Sequence, residues 1–275
     1  MAHEQDLDAA LDAALDAARR AGRLILGAYA DFTAIPDARA DITTEVDRQS
    51  QETILQRLRE RCPADALCAE EETPTLAAAP RSGSRVWVVD PIDGTRGFAK
   101  KNGEFSVMIA LLEEGCVVVG VVLEPATARL TYAVRGGGCW RQDGDSPQPC
   151  RVTAVRDLAA ATLTQSRSRK DAGPSPLVQA LTPAHVRETY SAGIKLALVA
   201  RGEADYYVNS YEAFHDWDVC AGHILVEEAG GVVTGLHGEP IMYGAPGAWQ
   251  RNGLLASNGL LHATAVERCK ATRRH

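Results

Sequence analysis

Asp90 and Asp93 stand three residues apart in the run Asp90-Pro91-Ile92-Asp93-Gly94-Thr95. The apolar stretch Val86-Trp87-Val88-Val89 before it reads as a buried strand, so both carboxylates fall where a strand gives way to a tight turn. Pro91 fixes φ early in that turn, and Gly94 frees the backbone where a side chain would obstruct it. Thr95 is placed to cap a helix beginning at Arg96, and the amides of such a terminus suit an anion. The segment thus sets hard oxygen ligands for a divalent cation beside a cradle for phosphate, the combination needed for metal-assisted hydrolysis of a phosphate ester. Asp-Pro and Asp-Gly are also common turn chemistry, and two distant segments shift the balance. Upstream lies the carboxylate cluster Glu70-Glu71-Glu72. Downstream lies His215-Asp216-Trp217-Asp218, which leads into Val219-Cys220-Ala221-Gly222 and Glu227-Glu228-Ala229-Gly230-Gly231.

These groups need elements to hold them. Leu7, Leu11, Leu15 and Ala18 form one stripe of a helix over residues 5–30, ended by Gly27 and the segment 33–36. A second helix over 45–61 has Thr44 as its cap and Asp47 as the acidic arm of a capping box, and Pro63 stops it. Residues 105–112, 116–123 and 130–134 read as an antiparallel meander. The polar stretch 143–149 divides the chain into halves, 1–148 and 149–275. In the second half, strands are expected at 162–165, 186–189, 204–208, 232–233 and 254–257, with helices at 194–201, 217–229 and 260–270. Gly230-Gly231 would close the helix carrying Asp218. The segments 81–84 and 166–175 read as mobile loops. The class is mixed α and β, without internal repeats.

Composition narrows the function. The 275 residues are 45% apolar and 24% charged, ordinary for a globular chain. A net charge of −7 disfavours a nucleic-acid polymer as partner. Bound cations still allow an acidic protein to take a small anion. The start, Met-Ala-His-Glu-Gln-Asp, has no signal-peptide character, and the aliphatic run 117–123 is too short for a bilayer. Seven cysteines without a Cys-x-x-Cys read as reduced and structural. A cytoplasmic protein with no membrane partner is expected.

The three acidic motifs, in this order, resemble the inositol monophosphatase superfamily of magnesium-dependent, lithium-sensitive phosphatases, and the resemblance covers nearly the whole chain. It implies a layered αβαβα sandwich of the inositol monophosphatase/fructose-1,6-bisphosphatase type, metals at the seam between halves, and a homodimer. It implies that Glu70, Asp90 and the Ile92 carbonyl hold one Mg²⁺, that Asp90, Asp93 and Asp218 hold a second, and that a third sits near Glu70. Asp47 and Thr95 would act as a dyad on the attacking water, although Asp47 could serve only as a cap. Glu71 would position a metal-bound water, and the Gly94 and Thr95 amides would bind phosphate. The resemblance gives His215 no ligand role, and a packed histidine is expected; Asp216 reads as a cap for the helix of Asp218.

Substrate choice must come from the flanks. Lys101-Asn102-Gly103-Glu104-Phe105-Ser106-Val107 resembles the bacterial 3′(2′),5′-bisphosphate nucleotidases. So does Ser191-Ala192-Gly193-Ile194-Lys195, where Lys195 would hold the phosphate that is not cleaved, or else lie on a helix surface. Those enzymes often carry serine where Ala192 stands. Glu212 could grip sugar or inositol hydroxyls, and the aromatics around it could stack on adenine. The reading is a hydrolase that removes the 3′-phosphate of adenosine 3′,5′-bisphosphate. Inositol or sugar-phosphate hydrolysis is the alternative, and a non-catalytic nucleotide or metal sensor is a third.

Overall fold

The structure, a computed structural model, describes residues 2–39, 41–167 and 173–272. Residues 168–172 of the expected loop lie outside the described residues. Helix α1 (Ala2–Asp31) buries Leu7, Ala10, Ala14, Ala17, Ala21 and Ile25 along one face. It runs through Gly27, which a helix interior tolerates at a cost of about 1 kcal/mol. Beside it lies α2 (Glu45–Arg61). Thr44 caps α2, and Asp47 answers by accepting from the Thr44 amide at 2.9 Å.

These helices cover one face of a seven-stranded sheet. Strands β1 (Ala66–Ala69), β2 (Arg85–Asp93), β3 (Ser106–Glu113), β4 (Cys116–Glu124), β5 (Arg129–Val134), β6 (Gly138–Gln142) and β7 (Gln148–Pro149) lie side by side in chain order. The β1–β2 pair is parallel and the rest are antiparallel. Short helices α3 (Pro74–Ala77) and α4 (Thr95–Ala99) sit in the connections. Alternation sorts the strands: Trp87, Val89, Ile109, Leu111 and Val121 pack with α1 and α2, while Val88, Met108, Ala110 and Val122 belong to the core on the other side.

That second core is shared with α6 (Ala192–Ala200) and α7 (Asp216–Glu228). All nine residues of α6 are buried, as suits a helix with sheets on both sides. Beyond them lies a five-stranded sheet of β8 (Thr162–Gln165), β9 (His185–Glu188), β10 (Tyr206–Asn209), β12 (Val232–Thr234) and β14 (Leu254–Ser257), ordered β12-β14-β10-β8-β9. Helices α5 (Pro176–Leu181) and α8 (His262–Thr272) form the last layer. A small ribbon pairs β11 (Phe214–His215) with β13 (Trp249–Gln250). The layers therefore alternate αβαβα, as expected. Among the described residues no helix is long and apolar enough to cross a membrane.

Three local readings are corrected. The strand does not stop at Val89 but runs to Asp93, so the turn comes later. Thr95 is not a cap: Gly94, at φ 83°, holds the cap position of α4 and Thr95 is its first residue. Asp216 is the first residue of α7, with His215 as its cap; its carboxylate instead accepts from the Gly244 amide at 2.9 Å and the Gln250 side chain at 2.7 Å. The strands at 66–69 and 138–142 and the helix at 176–181 were not legible, being short segments whose pairing partners lie elsewhere in the chain.

Candidate active site

Residues three apart in a regular strand leave opposite faces of a sheet. In β2 a bulge removes that obstacle. Asp90 pairs with Met108 and Asp93 with Ser106, so two residues of β2 oppose one of β3 and Asp93 turns to the side of Asp90. Asp218, in the first turn of α7, completes the group, and one carboxylate oxygen from each of the three lies within 4.8 Å of the others. Helix α7 comes this close to the sheet because β4 carries Gly120, where a Cβ would lie 2.6 Å from the Ala221 carbonyl oxygen. Glu70 arrives from β1. Its parallel register ends at Ala69 opposite Val89, and the Glu70 amide donates to the Val89 carbonyl at 3.3 Å, which sets Glu70 beside Asp90.

One oxygen of each aspartate is committed to protein donors. Asp90 Oδ1 accepts from the Ile92 amide at 3.0 Å. Asp93 Oδ2 accepts from the Gly193 amide at 2.6 Å and from the Ser191 hydroxyl. Asp218 Oδ2 accepts from the His215 amide at 2.6 Å. The carboxyls of Glu70 and Asp90 share a side-chain hydrogen bond. Burial and the repulsion of Glu70, Asp93 and Asp218 drive the Asp90 carboxyl well above its ordinary range. Lost hydration, with repulsion from Asp93 and Asp216, pushes Asp218 up to about 7. Glu70 keeps exposed surface, yet the protein around its carboxyl and repulsion from Asp218, Asp47 and Glu71 raise it to about 8. Crowded, under-hydrated, hard oxygen donors of like charge are the donor set that Mg²⁺ fits.

Beside this cluster, Asp47 is 1% exposed. Its Oδ2 accepts from the Thr44 amide and from the Thr44 hydroxyl at 2.6 Å, and its Oδ1 accepts from the Thr95 hydroxyl at 2.8 Å. Capping and the dyad geometry therefore coexist on the two oxygens of one carboxylate. The Thr95 Oγ is also 2.9 Å from the Ile92 carbonyl oxygen. Burial raises the Asp47 pKa, against the lowering effect of its Thr44 and Thr95 bonds.

The three glutamates separate. Glu71 accepts from the Thr43 hydroxyl at 2.5 Å, and the Gln51 side chain fixes its backbone. Glu72 turns to solvent and pairs with Arg81. Gly94 is confined: a Cβ would lie 2.8 Å from the Glu104 carbonyl oxygen and 3.1 Å from the Ser191 backbone.

Lys195 is fully buried rather than on a helix surface, and its charge acts on Asp93 and Asp218 of the cluster. Its Nζ donates to the Thr189 carbonyl at 3.0 Å and the Tyr190 carbonyl at 3.2 Å and sits 5.2 Å from the Tyr207 ring centre. Burial lowers it to about 8, opposed by Asp93, Glu104 and Asp218. Glu212 is exposed and lines a separate cavity of about 300 Å³ with Pro176, His237 and Arg251. His215 is packed, stacked on Trp217 at 4.3 Å and tilted against Trp249 at 4.0 Å.

Sequence reasoning missed the groups that hold Asp93. Ser191 caps α6 by accepting from the Ile194 amide at 2.9 Å and also bonds Asp93, while the Ser106 hydroxyl lies 2.9 Å from that of Ser191. The only signal was a serine three residues before an apolar helical run, which marks a cap and nothing more.

The description "inositol monophosphatase family" matches residues 6–273. The chain belongs to that family. Membership of this family, whose phosphatases are magnesium-dependent, supports phosphatase activity, and the cluster of Asp90, Asp93 and Asp218 could hold a metal ion. Among its relatives, the 3′(2′),5′-bisphosphate nucleotidase CysQ of Escherichia coli K12 is 33% identical over 232 residues, covering 82% of this chain and 90% of that one. The Nus factor SuhB of Pasteurella multocida is 33% identical over 229 residues, covering 80% and 82%. The solved inositol monophosphatase of Thermotoga maritima superposes with a TM-score of 0.80 at 28% identity, covering 96% and 98%. The inositol monophosphatase fold thus spans nearly the whole chain.

Proposed function

We propose that this protein is a 3′(2′),5′-bisphosphate nucleotidase that removes the 3′-phosphate of adenosine 3′,5′-bisphosphate. The observation that carries the hydrolytic reading is the Asp47–Thr95 pair beside the convergent oxygens of Asp90, Asp93 and Asp218. Those three carboxylates, with Glu70 and the Ile92 carbonyl, would hold two or three Mg²⁺. Bound divalent ions neutralise phosphate charge and make a coordinated water more acidic.

The side chains supply orientation and proton handling. Thr95 donates its single proton to Asp47, which leaves an Oγ lone pair to accept from the attacking water. Burial makes Asp47 a stronger proton acceptor than a solvated carboxylate, the direction a general base at neutral pH requires. The water oxygen forms the new P–O bond, the ester P–O bond breaks, and solvent protonates the departing ribose oxygen. Glu71, tethered to Thr43, orients water at the cluster edge. The Gly94 and Thr95 amides receive phosphate oxygens.

For the substrate, support comes from the run Lys101 to Val107, with its likeness to bacterial bisphosphate nucleotidases and its Glu104 carbonyl against Gly94. The test is phosphate release by purified protein with Mg²⁺ over adenosine 3′,5′-bisphosphate, inositol 1-phosphate and fructose 1,6-bisphosphate. Preference for the nucleotide is expected. Preference for either sugar ester would replace the proposal with the corresponding phosphatase, and no release from any would favour a sensor.

A further inference from the structure

Cys139 lies in β6, and Cys150 directly follows β7. The antiparallel register pairs Trp140 with Pro149, and its next step sets Cys139 opposite Cys150. The Cys150 amide donates to the Cys139 carbonyl at 2.8 Å, which makes them a hydrogen-bonded pair of the ladder. The α-carbons of such a pair stand about 5.5 Å apart, within the roughly 4.4–6.8 Å that a disulfide spans. Side chains directly opposite each other leave the same face of a sheet, and here both enter the core shared with α6 and α7. Both thiols are free and share a hydrogen bond.

A buried cation stands by this pair. Arg201 closes α6, and its side chain is 1% exposed. It donates Nε to Glu203 at 2.8 Å and Nη1 to Glu124 at 2.7 Å and the Thr131 hydroxyl at 2.9 Å. Its buried Nη2 has no hydrogen-bond partner among the described residues. The guanidinium favours the thiolate at both cysteines. The Cys139 thiol donates to Cys150 and so lowers the Cys150 pKa; burial opposes this, Arg201 and Arg141 reinforce it, and Glu203 opposes it. The same bond, with burial, pushes Cys139 up. The two thiols thus divide into a nucleophile and a proton-bearing partner.

Access comes from the sheet edge. Strand β7 is two residues long, exposed at both, and last in its sheet, and Arg151 beyond Cys150 is exposed too. Local opening of so short an edge uncovers Cys150 before Cys139, which sits in the strand inside it.

We propose that Cys139 and Cys150 form a peroxide-reactive dithiol whose reversible disulfide braces the passage from the seven-stranded sheet to the second half of the chain. The Cys150 thiolate attacks one oxygen of hydrogen peroxide. The O–O bond breaks, Cys150 becomes a sulfenic acid, and the departing hydroxide takes up the proton that Cys150 had released. The Cys139 sulfur then attacks the Cys150 sulfur. The S–S bond forms, the S–O bond breaks, and the hydroxyl leaves as water with the Cys139 proton. Two thiols are oxidised and one peroxide is reduced to two waters; a dithiol reductant reverses the bond by exchange. The link ties β6 to the segment where the Val152 amide donates to the Ala229 carbonyl at 3.1 Å, at the end of the helix that carries Asp218.

The test uses the full chain with Cys116→Ser, which removes an exposed thiol. Hydrogen peroxide should consume Cys139 and Cys150 and no other thiol, peptide mapping should find the two joined, and dithiothreitol should restore both. Cys139→Ser in that background should hold Cys150 as a sulfenic acid captured by dimedone, whereas Cys150→Ser should leave Cys139 unlabelled. The crosslinked protein should melt several degrees above the reduced one. Survival of both thiols at peroxide that oxidises free cysteine, a bond to a different cysteine, or dimedone on Cys139 instead of Cys150 would overturn the dithiol. A crosslinked form that melts no higher than the reduced one would overturn the bracing.

Discussion

Thr95→Ala separates orientation of the nucleophile from binding of the substrate. The hydroxyl contacts Asp47 Oδ1 at 2.8 Å and the Ile92 carbonyl oxygen at 2.9 Å, and one proton can serve only one of them at a time. Its removal costs Asp47 one of three hydrogen bonds, because the Thr44 amide and hydroxyl still hold Oδ2. One bond to a buried carboxylate is worth about 1.5–3 kcal/mol, so the fold should survive with unfolding lowered by several degrees. The catalytic loss should be larger. A positioned proton acceptor contributes roughly 10²–10⁴ in rate, which corresponds to about 3–5 kcal/mol of barrier. Steady-state phosphate release at saturating Mg²⁺ should show kcat reduced by that factor and KM changed less than about threefold. Thr95→Ser keeps the hydroxyl and should stay within about tenfold of wild type. The Thr95 bond also holds the Asp47 pKa down. Its loss lets that pKa rise, so the acidic limb of the residual kcat/KM profile should move to higher pH. A raised KM with unchanged kcat would refute the orienting role and leave Thr95 a phosphate ligand.

Two further outcomes follow from the same geometry. Gly94→Ala should cost at least about 2 kcal/mol in chemical unfolding, since alanine at φ 83° is strained and its Cβ would meet the Glu104 carbonyl oxygen at 2.8 Å; an unaltered denaturation midpoint would show that this turn relaxes freely. In chelator, the raised carboxyls of Asp90, Asp218 and Glu70 mean that the folded protein binds more protons than the unfolded chain between about pH 4 and pH 8, so thermal stability should fall as pH rises through that window. The lowered pKa values of His215 and His262 act in the opposite sense, which Asp90→Asn separates by removing part of the carboxyl repulsion alone. Mg²⁺ should restore stability most at the alkaline end for wild type and little for Asp90→Asn, as read by differential scanning calorimetry; a melting temperature that climbs with pH in chelator for wild type would reject the crowding account.

The sequence by itself determined which groups are available and, from local periodicity, most of the elements that carry them. The apolar stripe of α1, the Thr44 and Asp47 cap of α2 and the alternation in β3 to β5 depend on neighbours within a few residues, and such signals are legible along a chain. The carboxylates of Asp90, Asp93 and Asp218 were legible for the same reason, since their type and spacing announce oxygen donors. Their convergence was not. A bulge against β3 brings Asp93 to the side of Asp90, and the approach of α7 over Gly120 brings Asp218 across from the other half of the chain. Burial was decided at that level too. Lys195 reads as a basic residue on a helix, yet α6 lies between two sheets, so its charge is enclosed and two of its three donors go to the Thr189 and Tyr190 carbonyls. Ser191 stood in the sequence only as part of the nucleotidase-like run, and the packing of α6 against the seven-stranded sheet makes it a partner of Asp93. Contacts between residues about a hundred positions apart, such as Asp93 with Gly193, are set by how layers stack, and no local pattern encodes which side chains will meet there.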